Sequence, residues 1–186
     1  MFKLMPICAA ALGLAAAGCS DTQSPTDNLR PSAARGTAGR AVANLNLMDA
    51  CDPETFSVVP GGCARNGGIT LEQFNAQLAR LGVAPAWQIS PPDVYLHEGD
   101  AFMATNIGGE MHTFTEVEEF GGGIVPALNA ASGNTEVAPE CTTLGQSDFL
   151  APGQSTDAEE TDEVEDEHYQ CCIHPWMRTT IHVRGR

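Results

Sequence analysis

The sequence predicts a mainly β fold, a sandwich of short strands with one helix N-terminal to it, and three observations carry that expectation. The 186 residues include 19 glycines and 12 prolines, too many turn-formers for a helical bundle. Hydrophobic residues make up 42% of the chain, enough for one core of ordinary size. From Trp87 onward, short β-prone runs alternate with turn signals at the spacing of a sandwich or barrel.

The charge balance narrows the function before any motif is read. Twenty-four acidic residues face nine basic ones, a formal charge of −15, so a phosphate backbone would be repelled and nucleic acid is excluded as a partner. The sole lysine, Lys3, opens residues 1–18, which read as a secretory signal because Leu4 to Ala17 is almost wholly apolar yet too short to span a membrane. The segment ends Ala15-Ala16-Ala17-Gly18-Cys19 and resembles the lipobox of bacterial lipoproteins. That resemblance implies cleavage before Cys19, lipidation of its thiol and an N-terminal lipid anchor in the membrane. Ala16 stands where the lipobox prefers Leu, which leaves ordinary cleavage after Ala17 as the alternative. Both routes predict an exported protein, in the periplasm or cell envelope.

Residues 19–44 are rich in Ser, Thr, Pro, Gly, Ala and Arg and read as a flexible tether, with a reach of roughly 25 Å. Residues 45–86 read as an N-terminal extension whose helix starts at a capping box, Thr70 with Gln73. Its apolar face is Leu71, Phe74, Leu78 and Leu81, and Gly82 ends it. Residues 87–186 form the expected β domain. Its strands are read at Trp87 to Pro91, Asp93 to His97, Ala101 to Asn106 and Met111 to Val117, then at His168 to Cys171 and Thr179 to Arg184. Phe120 to Pro126, with three consecutive glycines, reads as a connection.

The chemistry concentrates between the last two strands, in Tyr169-Gln170-Cys171-Cys172-Ile173-His174-Pro175-Trp176-Met177-Arg178. A thiolate, an imidazole and a thioether within seven residues form a soft donor set that suits copper, provided a second imidazole arrives from elsewhere. His112 is the candidate. The run resembles the copper loop of cupredoxins, the plastocyanin and amicyanin family, and its Cys-x-x-His-Pro-aromatic-Met-Arg form is most similar to amicyanin.

The resemblance implies a cupredoxin-like Greek-key β-sandwich holding one type 1 (blue) copper ion on His112, Cys171, His174 and Met177. It further implies that His174 is the exposed ligand, within an apolar docking patch that includes Pro175 and Trp176; a Pro-Trp pair that locks a buried loop is the alternative reading of those two residues. In this chain Thr113 follows the first His where the family usually has Asn, and the stretch from Gly121 to about Glu167 is an insertion relative to the simplest members. With Cys8 leaving in the signal, Cys19 lipidated or in the tether and Cys171 assigned to copper, four of the seven cysteines, Cys51, Cys63, Cys141 and Cys172, remain as an even set in a disulfide-permissive compartment. Cys51 is expected to pair with Cys63, and Cys141 with Cys172. Zinc is the alternative metal, and a chain with every cysteine in a disulfide and no metal is the alternative to both. His97, His168 and His182 have no ligand spacing and read as surface or half-buried packing residues.

A site with four protein ligands is expected to shuttle single electrons rather than transform a substrate, so the chain is not read as an enzyme. The alternative is a copper-binding or delivery protein that uses the same fold without redox turnover. Asp157 to Glu167 carries eight acidic residues among eleven. It reads either as a solvated loop or as a steering surface for a basic redox partner such as a c-type cytochrome.

Overall fold

The computed structural model describes residues 40–186. The signal at 1–18, Cys19 and the tether up to residue 39 lie outside the described residues. Strand β1 (Val42–Met48) opens the fold, followed by a short helix α1 (Pro53–Phe56), α2 (Leu71–Leu81), β2 (Gln88–Ser90), β3 (Asp93–His97) and β4 (Ala101–Asn106). Then come β5 (His112–Thr113), β6 (Thr115–Val117), α3 (Pro126–Ser132), β7 (Phe149–Leu150), β8 (Glu159–Glu160), β9 (Asp166–Gln170) and β10 (Arg178–Arg184).

Two four-stranded sheets form the expected sandwich, one ordered β2-β1-β4-β8 and the other β3-β10-β9-β6, with β5 and β7 as a separate pair. Period-2 alternation explains both faces. In β10, Thr179, Ile181 and Val183 point inward while the residues between them are half-buried or exposed, and β3 buries Val94 and Leu96 in the same way. Leu45, Leu47, Ile89, Phe102 and Ala104 from the first sheet share one core with Tyr169, Ile181 and Val183 from the second.

Residues 42–86 do more than the expected tether end and extension would. The boundary at 44/45 falls inside β1, an inner strand that pairs in parallel with β4 over Val42–Leu47 and antiparallel with β2. The Asn44-Leu45-Asn46-Leu47 alternation carries that strand locally. Helix α2 keeps its expected cap: Thr70 Oγ1 accepts from Gln73 N–H, Gln73 Oε1 accepts from Thr70 N–H, and Gly82 closes the helix at φ 72°. Its Phe74 lies 4.6 Å from Trp87 and 5.7 Å from Phe56, ring centre to centre, which seats the helix on the end of the sandwich. Helices α1 and α3 were not expected. Each starts on a proline, at position 53 or 126, whose fixed φ suits a first helical turn.

The triple glycine is a connection, as predicted, but a crowded one. A Cβ on Gly123 would collide with the carbonyl of Cys172, and Ile124 N–H donates to that same carbonyl at 2.7 Å. The acidic run is largely exposed, as a solvated loop would be, but part of it is strand. Glu159 and Glu160 pair with Phe102 and Ala101 as an edge strand, and Arg40 meets Glu160 at 2.6 Å.

Candidate metal centre

Three donors from distant stretches converge. His112 opens β5, Cys171 follows the end of β9, and His174 lies in the loop that leads to β10. Cys171 Sγ is 3.8 Å from Nδ1 of His112 and 3.8 Å from Nδ1 of His174. Among the described residues this is the one cluster of three His, Cys or carboxylate donors with all ligand atoms within 4.8 Å of one another. All three side chains are buried, and Cys171 is the free cysteine among the described residues.

The loop geometry follows from its backbone. Cys171 N–H donates to Met177 C=O at 3.0 Å and Met177 N–H donates to His174 C=O at 2.9 Å, so the segment folds back on itself and carries Met177 inward to 0% exposure. Cys51 is paired with Cys63 and Cys141 with Cys172, leaving Cys171 unpaired beside a disulfide. Thr113 ties the two ligand-bearing stretches together. Its N–H points at Cys171 Sγ at 3.4 Å and its Oγ1 accepts from Cys172 N–H at 2.7 Å.

Two buried carboxylates stand behind the imidazoles, and neither was read from the sequence. Asp49 Oδ2 is 2.9 Å from His112 Nε2, and Glu110 Oε2 is 3.7 Å from His174 Nε2 while accepting from Trp87 Nε1–H at 2.6 Å. Burial pushes the Asp49 carboxyl up, but the hydrogen bond with His112 and those from backbone N–H groups outweigh it and hold the group below the usual carboxylate range. Burial keeps Glu110 above its ordinary value despite the favourable neighbours His174 and Trp87. Burial opposes charge on His112, yet Asp49 and Cys171 raise it to about 9. The Cys171 thiol is raised by burial but lowered further by the two imidazoles, so it lies well below the ordinary thiol range, in the thiolate form that binds metals.

The expected exposed ligand is buried instead. His174 is 3% exposed because Phe74 of α2, Trp87 and Trp176 surround it, with ring centres at 6.4, 6.5 and 5.6 Å. Pro175 is buried and Trp176 half-buried, so the docking patch implied around an exposed His174 edge is not formed as such. The extension contributes Phe74 by laying α2 across this end of the sandwich, while Trp87 and Trp176 come from the β domain itself. The other histidines stay apart from the centre. Half-buried His182 sits between Asp93 and Asp166, His168 packs on Phe120, and His97 is near Asp100.

No protein-family model matches the chain, and comparison with curated proteins finds no match. Among solved structures, it is similar to a purple cupredoxin from Nitrosopumilus maritimus at 15% identity, covering 76% of this chain and 99% of that one with a TM-score of 0.42. It is likewise similar to oxidised plastocyanin from Dryopteris crassirhizoma at 14% identity, over 76% and 100% of the two chains with a TM-score of 0.39. A reduced amicyanin variant matches at 19% identity over 50% of this chain and 70% of the other, with a TM-score of 0.34.

Proposed function

We propose that this protein is a type 1 copper protein that carries single electrons between redox partners outside the cytoplasm. The observation that carries the reading is the pair of 3.8 Å distances from Cys171 Sγ to the two Nδ1 atoms. Those separations let one ion touch the sulfur and both nitrogens at ordinary metal–ligand distances of about 2.0–2.3 Å. A thiolate with two imidazoles and a buried thioether suits copper over zinc. Met177 would be the fourth residue to hold the ion, through its buried thioether.

Bound copper supplies a one-electron couple between Cu(II) and Cu(I). The chain's part is to keep the donors rigid and dry: the Cys141–Cys172 disulfide, the Thr113 bridge and the packing of Phe74 and Trp87 hold both ligand stretches, so little rearrangement accompanies the change of charge. A reduced donor protein would give the electron and an oxidised acceptor would take it. The acidic run and the charge of −15 favour a basic partner such as a c-type cytochrome. Export through the N-terminal signal, with a lipid on Cys19, would hold the protein at the cell envelope.

The test is the optical spectrum of the Cu(II)-loaded protein. An intense blue colour, bleached by reductant and restored by oxidant with copper retained, supports the carrier. Release of the ion on cycling favours copper delivery, and a colourless Cu(II) form overturns the type 1 assignment. Met177→Leu is expected to keep the colour and shift the reduction potential; an unchanged potential removes Met177 from the site.

A further inference from the structure

The seat of Asp49 is more elaborate than a packing role requires. The residue directly follows β1, and its side chain is 1% exposed. Its Oδ2 accepts from Gly109 N–H at 2.7 Å, Glu110 N–H at 2.9 Å and His112 Nε2 at 2.9 Å, while Oδ1 accepts from Cys51 N–H at 3.2 Å. Among the described residues its one cationic partner is that imidazole.

The surroundings are shaped to bring the carboxylate there. A Cβ on Gly108 would collide with the Asp49 carboxylate, and one on Gly109 would stand 2.6 Å from Cys51 Sγ and 2.9 Å from Cys63 Sγ. Only glycine at both positions lets the backbone close over Asp49, and the disulfide backs the same turn. The ring of His112 then has no freedom. Its Nε2 edge faces the carboxylate and its Nδ1 faces Cys171.

We propose that Asp49 is the positioning residue of this metal centre: it takes the Nε2–H of His112, fixes Nδ1 as the ligand atom, and biases the bound ion toward Cu(II) through its buried negative charge. The proposal rests on the copper reading above. A carboxylate bonded to the far edge of a ligand imidazole fixes the tautomer and raises the basicity of the ligand. Its charge also lies within one imidazole of the ion, in a site closed to water, where Coulomb interactions are weakly screened. The higher oxidation state gains more from that charge than the lower one.

The experiment uses the full chain loaded with copper. Asp49→Asn keeps an oxygen for His112 and removes the charge, so the ratio of Cu(I) to Cu(II) affinity is expected to rise at least about tenfold, an upward shift of about 59 mV in the potential of a one-electron couple. Glu110→Gln changes the carboxyl group 3.7 Å from His174, leaves the Asp49–His112 pair intact and serves as the comparison. A second measurement needs no variant. In the diamagnetic Cu(I) wild type, nitrogen-resolved NMR should show a slowly exchanging proton on Nε2 of His112. A blue wild type whose potential is unmoved by Asp49→Asn, or whose His112 proton sits on Nδ1, overturns the role of Asp49 alone. A wild type that does not form the blue Cu(II) protein overturns the copper reading itself.

Discussion

Thr113 Oγ1 accepts the N–H of Cys172 at 2.7 Å while the Thr113 N–H points at Cys171 Sγ at 3.4 Å. One small residue thus holds the His112 strand against the cysteine pair 58 residues away. It serves through its hydroxyl, where the resembled family uses a side-chain amide. Thr113→Val keeps the shape and leaves the buried Cys172 N–H without a partner, at a cost of about 1–3 kcal/mol. Thr113→Ser retains the acceptor and should lie within about 1 kcal/mol of wild type. Denaturant unfolding of both variants checks this, and equal losses would show that the hydroxyl is not what matters.

The two adjacent cysteines are expected to separate cleanly. Cys171→Ser removes the thiolate from the donor cluster and should abolish the blue colour with little loss of stability. Cys172→Ser should keep the colour, while opening a disulfide whose cysteines are 31 residues apart costs about 3–4 kcal/mol in the loop-entropy view. Spectra and melting curves of the pair provide the measurement; colour lost in Cys172→Ser would assign the metal to the wrong sulfur.

Phe74 joins the cover over His174 to the core, with centroids at 6.4 Å from the imidazole and 4.6 Å from Trp87. Phe74→Ala should cost about 3–5 kcal/mol and expose the imidazole edge. Electron exchange with a small, uncharged outer-sphere reagent is then expected to quicken several-fold. An unchanged rate would mean that α2 does not gate access.

Glu167 gives a pH dependence whose sign is fixed by its surroundings. Burial first, then Glu116 and Glu159, push its carboxyl from an ordinary 4.5 to about 7. The folded chain therefore binds more protons than the unfolded chain between those values, and this group's share of stability is lost as pH rises from about 4.5 through about 7. Glu167→Gln should flatten that fall and be the more stable form at pH 8, by on the order of 1 kcal/mol after allowance for partial exposure. Melting temperatures between pH 4 and 8 test it; parallel curves for the two proteins would exclude Glu167 as the cause.

Steering by the acidic run predicts a salt effect. Electron exchange with a cationic c-type cytochrome should slow markedly as ionic strength rises from low salt to about 0.15 M, where charges are screened within about 8 Å. A rate indifferent to salt would leave the run without a steering role.

Local chemistry alone determined the elements whose signals lie within a few residues. The Thr70–Gln73 capping box, the Gly82 stop, the alternating strands and the spacing of Cys171, His174 and Met177 all act over one or two turns of chain. They carry their meaning in the sequence because caps, pleats and tight loops are short-range objects. Tertiary structure alone decided what stands behind the imidazoles and what covers them. Asp49 meets His112 across 63 residues, and α2 reaches His174 from a segment that reads as an appendage. No periodicity marks such meetings, since a lone aspartate after a short strand looks the same whether it faces water or a buried ring. Packing β1 into the centre of the first sheet is what carries Asp49 to that ring, and seating α2 on the end of the sandwich beside Trp87 and Trp176 is what removes His174 from solvent.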